Sequence, residues 1–404
     1  MEFKKHVDCG TIGMILLCNS SAPLNGYIIV LERVSLLDNK MYVIMHGERE
    51  VAQIAASGYC KVYGEGFMPY DLYLDDTDDA MDTLVNNITN FYYWCATRVL
   101  TLDRAYAKEI LNSIGASQAR TDRERAKIAL SYHCLSLTDI YWVKMAGEDV
   151  SFKEINLYEN HLENALVDIA LRGRQMTVNN RHLLADDLST GGAFPKAWLR
   201  KADGFMLLKD GNDEAVENEL LASKICRCFL CHQVHYDTYD YEGMRVSAST
   251  IMTDIRYSIV SREAFDIYAA NHQLDALQYI LELDGYSFHM MNILDYLVGN
   301  TDRHWGNWGL LIDNETNRPV RLHDLMDFNK AFGEYDTMEG ANCLTVYPEL
   351  MSQQAAAARA VKCIGLNQIC AVDEIWFDGR DTVFKMFMDR LAFLKSIDAG
   401  RMEH

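Results

Sequence analysis

No stretch of the chain approaches ~20 uninterrupted apolar residues, so a helical membrane span is not expected. The opening residues, Met1-Glu2-Phe3-Lys4-Lys5-His6, lack the apolar run of a secretory leader, and the expectation is a soluble, cytoplasmic protein. Basic tracts are missing too. Lys and Arg number 38 against 58 Asp and Glu, a formal net charge of −20. Affinity for a phosphate backbone rests on clustered cations, so no direct nucleic-acid partner is expected. The same charge disfavours anionic membrane surfaces, and no membrane partner is expected. A short basic stretch, Arg120 to Lys127, alternates with Asp122 and Glu124 and reads as an ordinary solvated helix face. Repeats and low-complexity linkers are absent.

Cysteine is not scarce, but its eleven copies are scattered and odd in number, which fits reduced thiols better than a disulfide frame. Cys226, Cys228, Cys231, His232 and His235 are residue types that zinc uses. They begin on a predicted helix, spread over several faces, and lack the usual distant second pair, so buried thiols and surface imidazoles are the expected reading. With 404 residues, 49% of them hydrophobic, the chain can bury a large core and divide into two or three domains.

The segment Asn300-Thr301-Asp302-Arg303-His304-Trp305-Gly306-Asn307, followed by Asp327-Phe328-Asn329, carries the strongest chemical signal. An acid five positions before an Asn suits a phosphoryl-transfer loop. The carboxylate of Asp302 orients a hydroxyl nucleophile and the amide oxygen of Asn307 ligates Mg²⁺, while Asp327 holds the same metal on the β- and γ-phosphates. Magnesium takes hard oxygen ligands and keeps several waters, so one Asn and one Asp suffice. Trp308 to Ile312 and Pro319 to Leu322 are short apolar runs around the turn formers Asp313 to Asn317, which predicts a hairpin between the two motifs. Each motif is weak alone, and a solvated loop acid is the ordinary fate of an Asp. Order, spacing and hairpin together make the reading.

An ATP site also needs a cover for the phosphates and a cation to reach them. Leu188 to Lys196 contains the glycine pair Gly191-Gly192, whose bare backbone can approach a triphosphate. Lys196 to Arg200, a turn at Ala202-Asp203-Gly204, and Phe205 to Lys209 predict a second hairpin, ending on Lys209. The helical stretch Glu214 to Leu230 follows, and Glu219 in its first half can pair with Lys209 and hold it toward the α- and β-phosphates. Glu217 competes for that role, and spacing does not decide between them.

Taken together, Ser189 to Ala197, the hairpin to Lys209, Asn300 to Asn307 and Leu325 to Phe328 resemble successive landmarks of the HipA-like serine/threonine kinases, over roughly residues 180 to 335. The resemblance implies Asp302 as catalytic aspartate, Asn307 and Asp327 as magnesium ligands, Lys209 as the ATP-binding lysine, and Gly191 to Lys196 as the phosphate-covering loop. Ser189 matches a serine that these kinases phosphorylate on themselves, ejecting the loop. A phosphate there adds nearly two negative charges, which conflicts with a bound triphosphate. The alternative for Ser189 is a turn cap. Where the family commonly has a Pro before the metal Asp, His323-Asp324-Leu325-Met326 stands here, leaving Asp324 as a competing ligand. The Asp302-Arg303-His304 run is also similar to phosphatidylinositol kinases.

The expected fold class is α+β, a two-lobed protein-kinase-like core with an N-terminal β-rich module and a helical connector. Residues 1–76 form the β-rich module, with runs such as Tyr27 to Leu31 and Met41 to Met45. Residues 77–178 form the helical connector, opened by Thr77 or Asp78 as cap. Residues 179–253 form the N-lobe, with the strand Met244 to Ser249 leading to an adenine-facing hinge near Met252, and residues 254–404 form the helical C-lobe. The expected ligands are ATP and Mg²⁺, with a protein substrate and a protein regulator as partners. A lipid or small-molecule kinase and a silent nucleotide-binding scaffold remain as alternatives. The complete set of Lys209, Asp302, Asn307 and Asp327 argues against silence.

Overall fold

The computed structural model describes residues 40–99, 121–160, 196–201, 204–209, 213–241, 243–333 and 335–401. The described residues from Met41 onward belong to one compact unit. Three antiparallel sheets and eight helices occur among the described residues.

The first sheet has the order β3-β2-β1-β4, from β1 (Met41–His46), β2 (Arg49–Ala55), β3 (Cys60–Val62) and β4 (Tyr141–Met145). Gly47, at φ +56°, turns the β1–β2 hairpin, a conformation that costs glycine nothing. Helices α1 (Met81–Thr97) and α2 (Asp122–Ser131) share a core with this sheet through Ile44, Ile54, Phe91, Trp94 and Trp142, all at most 1% exposed. Thr121 opens α2 with a reciprocal capping box to Glu124. A single turn, α3 (Phe152–Ile155), follows β4.

Two expectations are corrected here. The boundary at residue 76 does not separate a β module from a helical connector, because β4 pairs with β1 from Tyr42↔Met145 to His46↔Tyr141 and so lies in the same sheet. Nor does Thr77 or Asp78 cap the helix: α1 begins at Met81 after Ala80, with no side-chain cap. Asp75 and Asp78 instead accept from the backbone N–H groups of Thr77 and Ala80 and hold the approach turn. Tyr27 to Leu31 lies outside the described residues.

The second sheet, β5-β6-β8-β7, combines the hairpin β5 (Lys196–Lys201) and β6 (Gly204–Lys209) with β7 (Tyr236–Tyr241) and β8 (Met244–Thr250), and α4 (Asp213–Cys226) packs on it. The third sheet, β11-β10-β9, is built from β9 (Tyr257–Ser261), β10 (Gly309–Asp313) and β11 (Arg318–Leu322). Strands β10 and β11 are the hairpin expected between the two motifs, and β9 adds a third strand within residues 254–404. Gly309 has to be glycine, since a Cβ there would lie 2.1 Å from the Val260 carbonyl oxygen.

The largest core surrounds α6 (Ala276–Val298), with α5 (Arg262–Asn271), α7 (Gln353–Ile364) and α8 (Asp381–Arg401). Helix α6 bends at Asp284 (φ −153°, ψ 59°), whose carboxylate accepts from the Ser287 and Leu322 N–H groups and so ties the bend to β11. It ends at Gly299 in the left-handed region, which releases the chain into the Asn300–Asn307 loop. Tyr70 and Tyr141 reach across to Asn317 at the β10–β11 turn (2.9 and 3.0 Å), fixing the first sheet to the third. No helix among the described residues is long and apolar enough to cross a membrane.

Candidate active site

Lys209 ends β6 and pairs in register with Ser247 of β8, so their side chains emerge side by side toward α4. Glu219, 1% exposed, meets both: its Oε1 accepts from Lys209 Nζ at 2.7 Å and its Oε2 from Ser247 Oγ at 2.5 Å. Two positions along a helix is more than half a turn, so Glu217 points away and pairs with Arg245 on the surface. Geometry thus selects Glu219.

Tyr236, the first residue of β7, completes the cluster. Its Oη accepts from Lys209 Nζ and from the Asp327 N–H, both at 3.2 Å. Asp327 Oδ1 accepts from Lys209 Nζ at 3.1 Å. Burial alone depresses the Lys209 ammonium, but the charges of Asp327 and Glu219 outweigh it and hold the pKa well above the ordinary lysine value. Burial also pushes the Tyr236 phenol up, keeping it neutral. Asp327 adopts φ +63°, a left-handed conformation that Asp tolerates better than most residues. Asp324 is instead ion-paired with Arg321 at 2.8 Å.

The Asn300–Asn307 loop is stapled from below. Asp295 is a buried acid in the apolar run Met290 to Val298, and it accepts from Arg303 Nε at 2.8 Å, Arg303 Nη2 at 2.9 Å and Asn300 Nδ2 at 3.0 Å. Arg303 Nη1 then donates to the carbonyls of Asn307 (3.2 Å) and Met326 (2.6 Å), so one guanidinium ties α6, the loop and the residue before Asp327 together. Burial lowers the Arg303 pKa, but the Asp295 charge more than restores it.

Asp302 is half-buried, and its carboxylate makes no hydrogen bond or ion pair among the described residues, while its carbonyl accepts from Asn307 Nδ2 at 2.5 Å. That bond fixes the Asn307 amide and turns its Oδ1 away, where this buried oxygen has no hydrogen-bond partner. A buried acceptor left open costs about 1–3 kcal/mol, so such an atom calls for an explanation, and a hard cation supplies one. Asn307 and Asp327 thus fit a magnesium pair in donor chemistry.

Met252 follows β8, half-buried, and packs on the cluster of Val216, Leu220, Val234 and Tyr236, as does Met326. Lys196 opens β5 opposite Lys209 in the ladder. Ser189, Gly191 and Gly192 lie outside the described residues. Tyr236, Ser247 and the Asp295–Arg303 pair were not foreseen as parts of the site. A lone acid inside an apolar run was the available signal for Asp295; Tyr236 offered none. The thiols of Cys228 and Cys231 donate to the carbonyls of Ala371 (3.5 Å) and Cys226 (3.6 Å).

No family model matches the chain, and no curated protein does. Among solved structures it is similar to the HipA toxin of Shewanella oneidensis MR-1, solved in a complex with HipB and operator DNA. The two are 10% identical with a TM-score of 0.50, over 89% of this chain and 99% of that one. It is also similar to the proinflammatory kinase CtkA of Helicobacter pylori, at 14% identity and a TM-score of 0.43, over 53% of this chain and 93% of that one. The likeness to HipA is one of fold: the chain has the kinase-like α+β fold of the HipA type.

Proposed function

We propose that this chain is an ATP-dependent protein serine/threonine kinase of the HipA type. The observation that carries this reading is the junction at Lys209, whose ammonium is held at once by Glu219 and Asp327. Three separate elements converge there, as an ATP-phosphate site requires. Lys209 contacts the α- and β-phosphates, Glu219 keeps it extended, and Gly191 to Lys196 cover them, with the adenine near Met252. Asn307 and Asp327 are the residues that would hold Mg²⁺, which when bound would offset the negative charge of the triphosphate.

In the transfer step Asp302 accepts the proton of the acceptor hydroxyl as the new oxygen–phosphorus bond forms. The bond from Pγ to the bridging oxygen breaks, and its electron pair leaves on ADP. Arg303 keeps Asn307 and the Asp327 segment in fixed relation and takes no part in the chemistry. The same reading carries Ser189 as an autophosphorylation site that closes the nucleotide site by repulsion between phosphates.

Mg²⁺-ATP should raise the melting temperature by mass action, and EDTA should reduce the rise. Asp327→Asn should remove the metal-dependent part and Asp324→Asn should leave it. No shift at millimolar ATP would sink the assignment. Labelled ATP should place phosphate on protein, with mass spectrometry locating it at Ser189; label found only in phosphoinositide would favour the lipid-kinase alternative.

A further inference from the structure

A cavity of about 630 Å³ lies not at Lys209 but beside the Asn300–Asn307 loop, with Thr301, the neighbour of Asp302, in its wall. Its other walls come from the segment after Asp327, through Phe332, Tyr335 and Asp336, and from the start of α8, through Thr382 and Val383.

These walls are firmly held. Tyr335 donates its hydroxyl to the Leu297 carbonyl, and its ring lies where a Cβ on Gly299 would be, 2.3 Å from that position. Arg390, fully buried, stacks behind the same ring at 4.4 Å and donates to the carbonyls of Tyr296, at 2.5 Å, and Thr337. The cavity therefore stands open without a bound chain to shape it, and its volume falls within the ~300–1,000 Å³ of ordinary ligand pockets.

Charge decides what fits. Asp336 is the charged group among the described lining residues, and no lysine or arginine is among them. Arg390 is fully buried and not among the lining residues; both its Nη atoms are engaged by carbonyls, and its charge offsets part of that of Asp336. The N-terminal end of α8 favours an anion, but Asp381 stands in its first turn and offsets that partial charge. The aromatic and aliphatic faces of Phe332, Tyr335 and Val383 suit the stem of a long cationic side chain.

We propose that this cavity receives a lysine or arginine of the acceptor polypeptide, close in sequence to the phosphorylated hydroxyl, with Asp336 as its counter-charge. The proposal rests on the kinase reading and adds substrate class to it: an inositol phosphate headgroup carries the wrong sign for these walls.

Fluorescein-labelled nonapeptides with one central Ser and Arg, Ala or Glu beside it test the proposal by anisotropy in the presence of Mg-ADP. Arg peptides should bind at least ~10-fold more tightly than Glu peptides, and Asp336→Arg should reverse the order, because close like charges are penalised across an interface. Thr382→Trp, which fills the cavity from an exposed position, should weaken Arg peptides and leave Ala peptides little changed. A preference untouched by Asp336→Arg, or tighter binding of Glu peptides or of inositol hexakisphosphate by the unmodified protein, would overturn it. Loss of the Mg-ATP melting shift in the unmodified protein would sink the kinase reading instead, while the anisotropy series still decides the cavity.

Discussion

Lys209 and Asn307 are both buried and both belong to the candidate site, yet they are treated in opposite ways. The three donors of the Lys209 ammonium all have acceptors, in Glu219, Tyr236 and Asp327. The Asn307 Oδ1 has none, and the neighbouring Asp302 carboxylate is equally unclaimed among the described residues. A buried ammonium has to be saturated, because an unpaired charge out of water costs several kcal/mol. A neutral oxygen can be left open at a smaller cost. The lysine side is thus satisfied within the fold, and the Asn300–Asn307 loop holds oxygens that no described residue satisfies.

Removing the open carboxylate is the sharpest way to break this comparison. Asp302→Asn keeps the shape of the side chain and removes its charge, so phosphoryl transfer should fall by ~10²–10⁴ while the Mg-ATP melting shift survives. Labelled-ATP assays beside thermal shift separate the two outcomes. Unchanged turnover would place the chemistry elsewhere, and loss of nucleotide binding would make Asp302 part of the ATP site.

Glu219→Ala attacks the saturated side. It leaves a buried ammonium and the Ser247 hydroxyl short of a partner, and breaking a buried pair from one side costs about 3–5 kcal/mol. The lower end is expected here, since Asp327 stays at 3.1 Å from Lys209. Urea unfolding should show it as a lower midpoint with little change of slope. A loss under ~1 kcal/mol would mean that the cluster is far wetter than its burial implies.

The same contrast explains what could be read in advance. The hairpin ending on Lys209 and the hairpin between Asn307 and Asp327 are local patterns, made of alternating apolar residues and turn formers, and both are present. Choosing between Glu217 and Glu219 needed partners 28 residues away on one face of β8, where the buried Ser247 takes Glu219 and the exposed Arg245, two residues back, takes Glu217. Strand β4 joins β1 across about a hundred residues of chain, so no local periodicity announces it. Tyr236 begins the strand Tyr-Asp-Thr-Tyr-Asp-Tyr, whose composition reads as a polar edge, and its role appears only when β7 is laid beside β8.

His323 extends the comparison to pH. It is fully buried one residue before Asp324, donates Nδ1–H to the Asp324 carbonyl at 2.8 Å, and is held neutral by burial, its pKa lowered to about 4. A folded value below the ordinary 6.5 means that its contribution is complete above about pH 6.5 and is lost as pH falls toward 4. The full loss is about 3 kcal/mol for a shift of this size. His46 in the first sheet, also lowered to about 4, adds a similar slope, so the test is a difference. The gap in stability between pH 7 and pH 4.5 should be smaller for His323→Asn than for the unmodified protein, read by urea midpoints. Parallel curves would show that His323 is already charged in the fold.

The smallest expected effect is also the cleanest control on the choice between the two acids of α4. Glu217 and Arg245 form a pair with side chains 45% and 51% exposed, and exposed pairs contribute between zero and about 1 kcal/mol. Glu217→Ala should therefore shift the urea midpoint barely at all, leave the Mg-ATP melting shift as it was, and lose what little effect it has in high salt, where exposed pairs are screened. Glu219→Ala should respond weakly to salt, because its partners are shielded from solvent. If Glu217→Ala proved the costlier change, or removed the nucleotide shift, then α4 would be rotated by more than half a turn in solution relative to the arrangement described. The lysine would then have a different acid beside it.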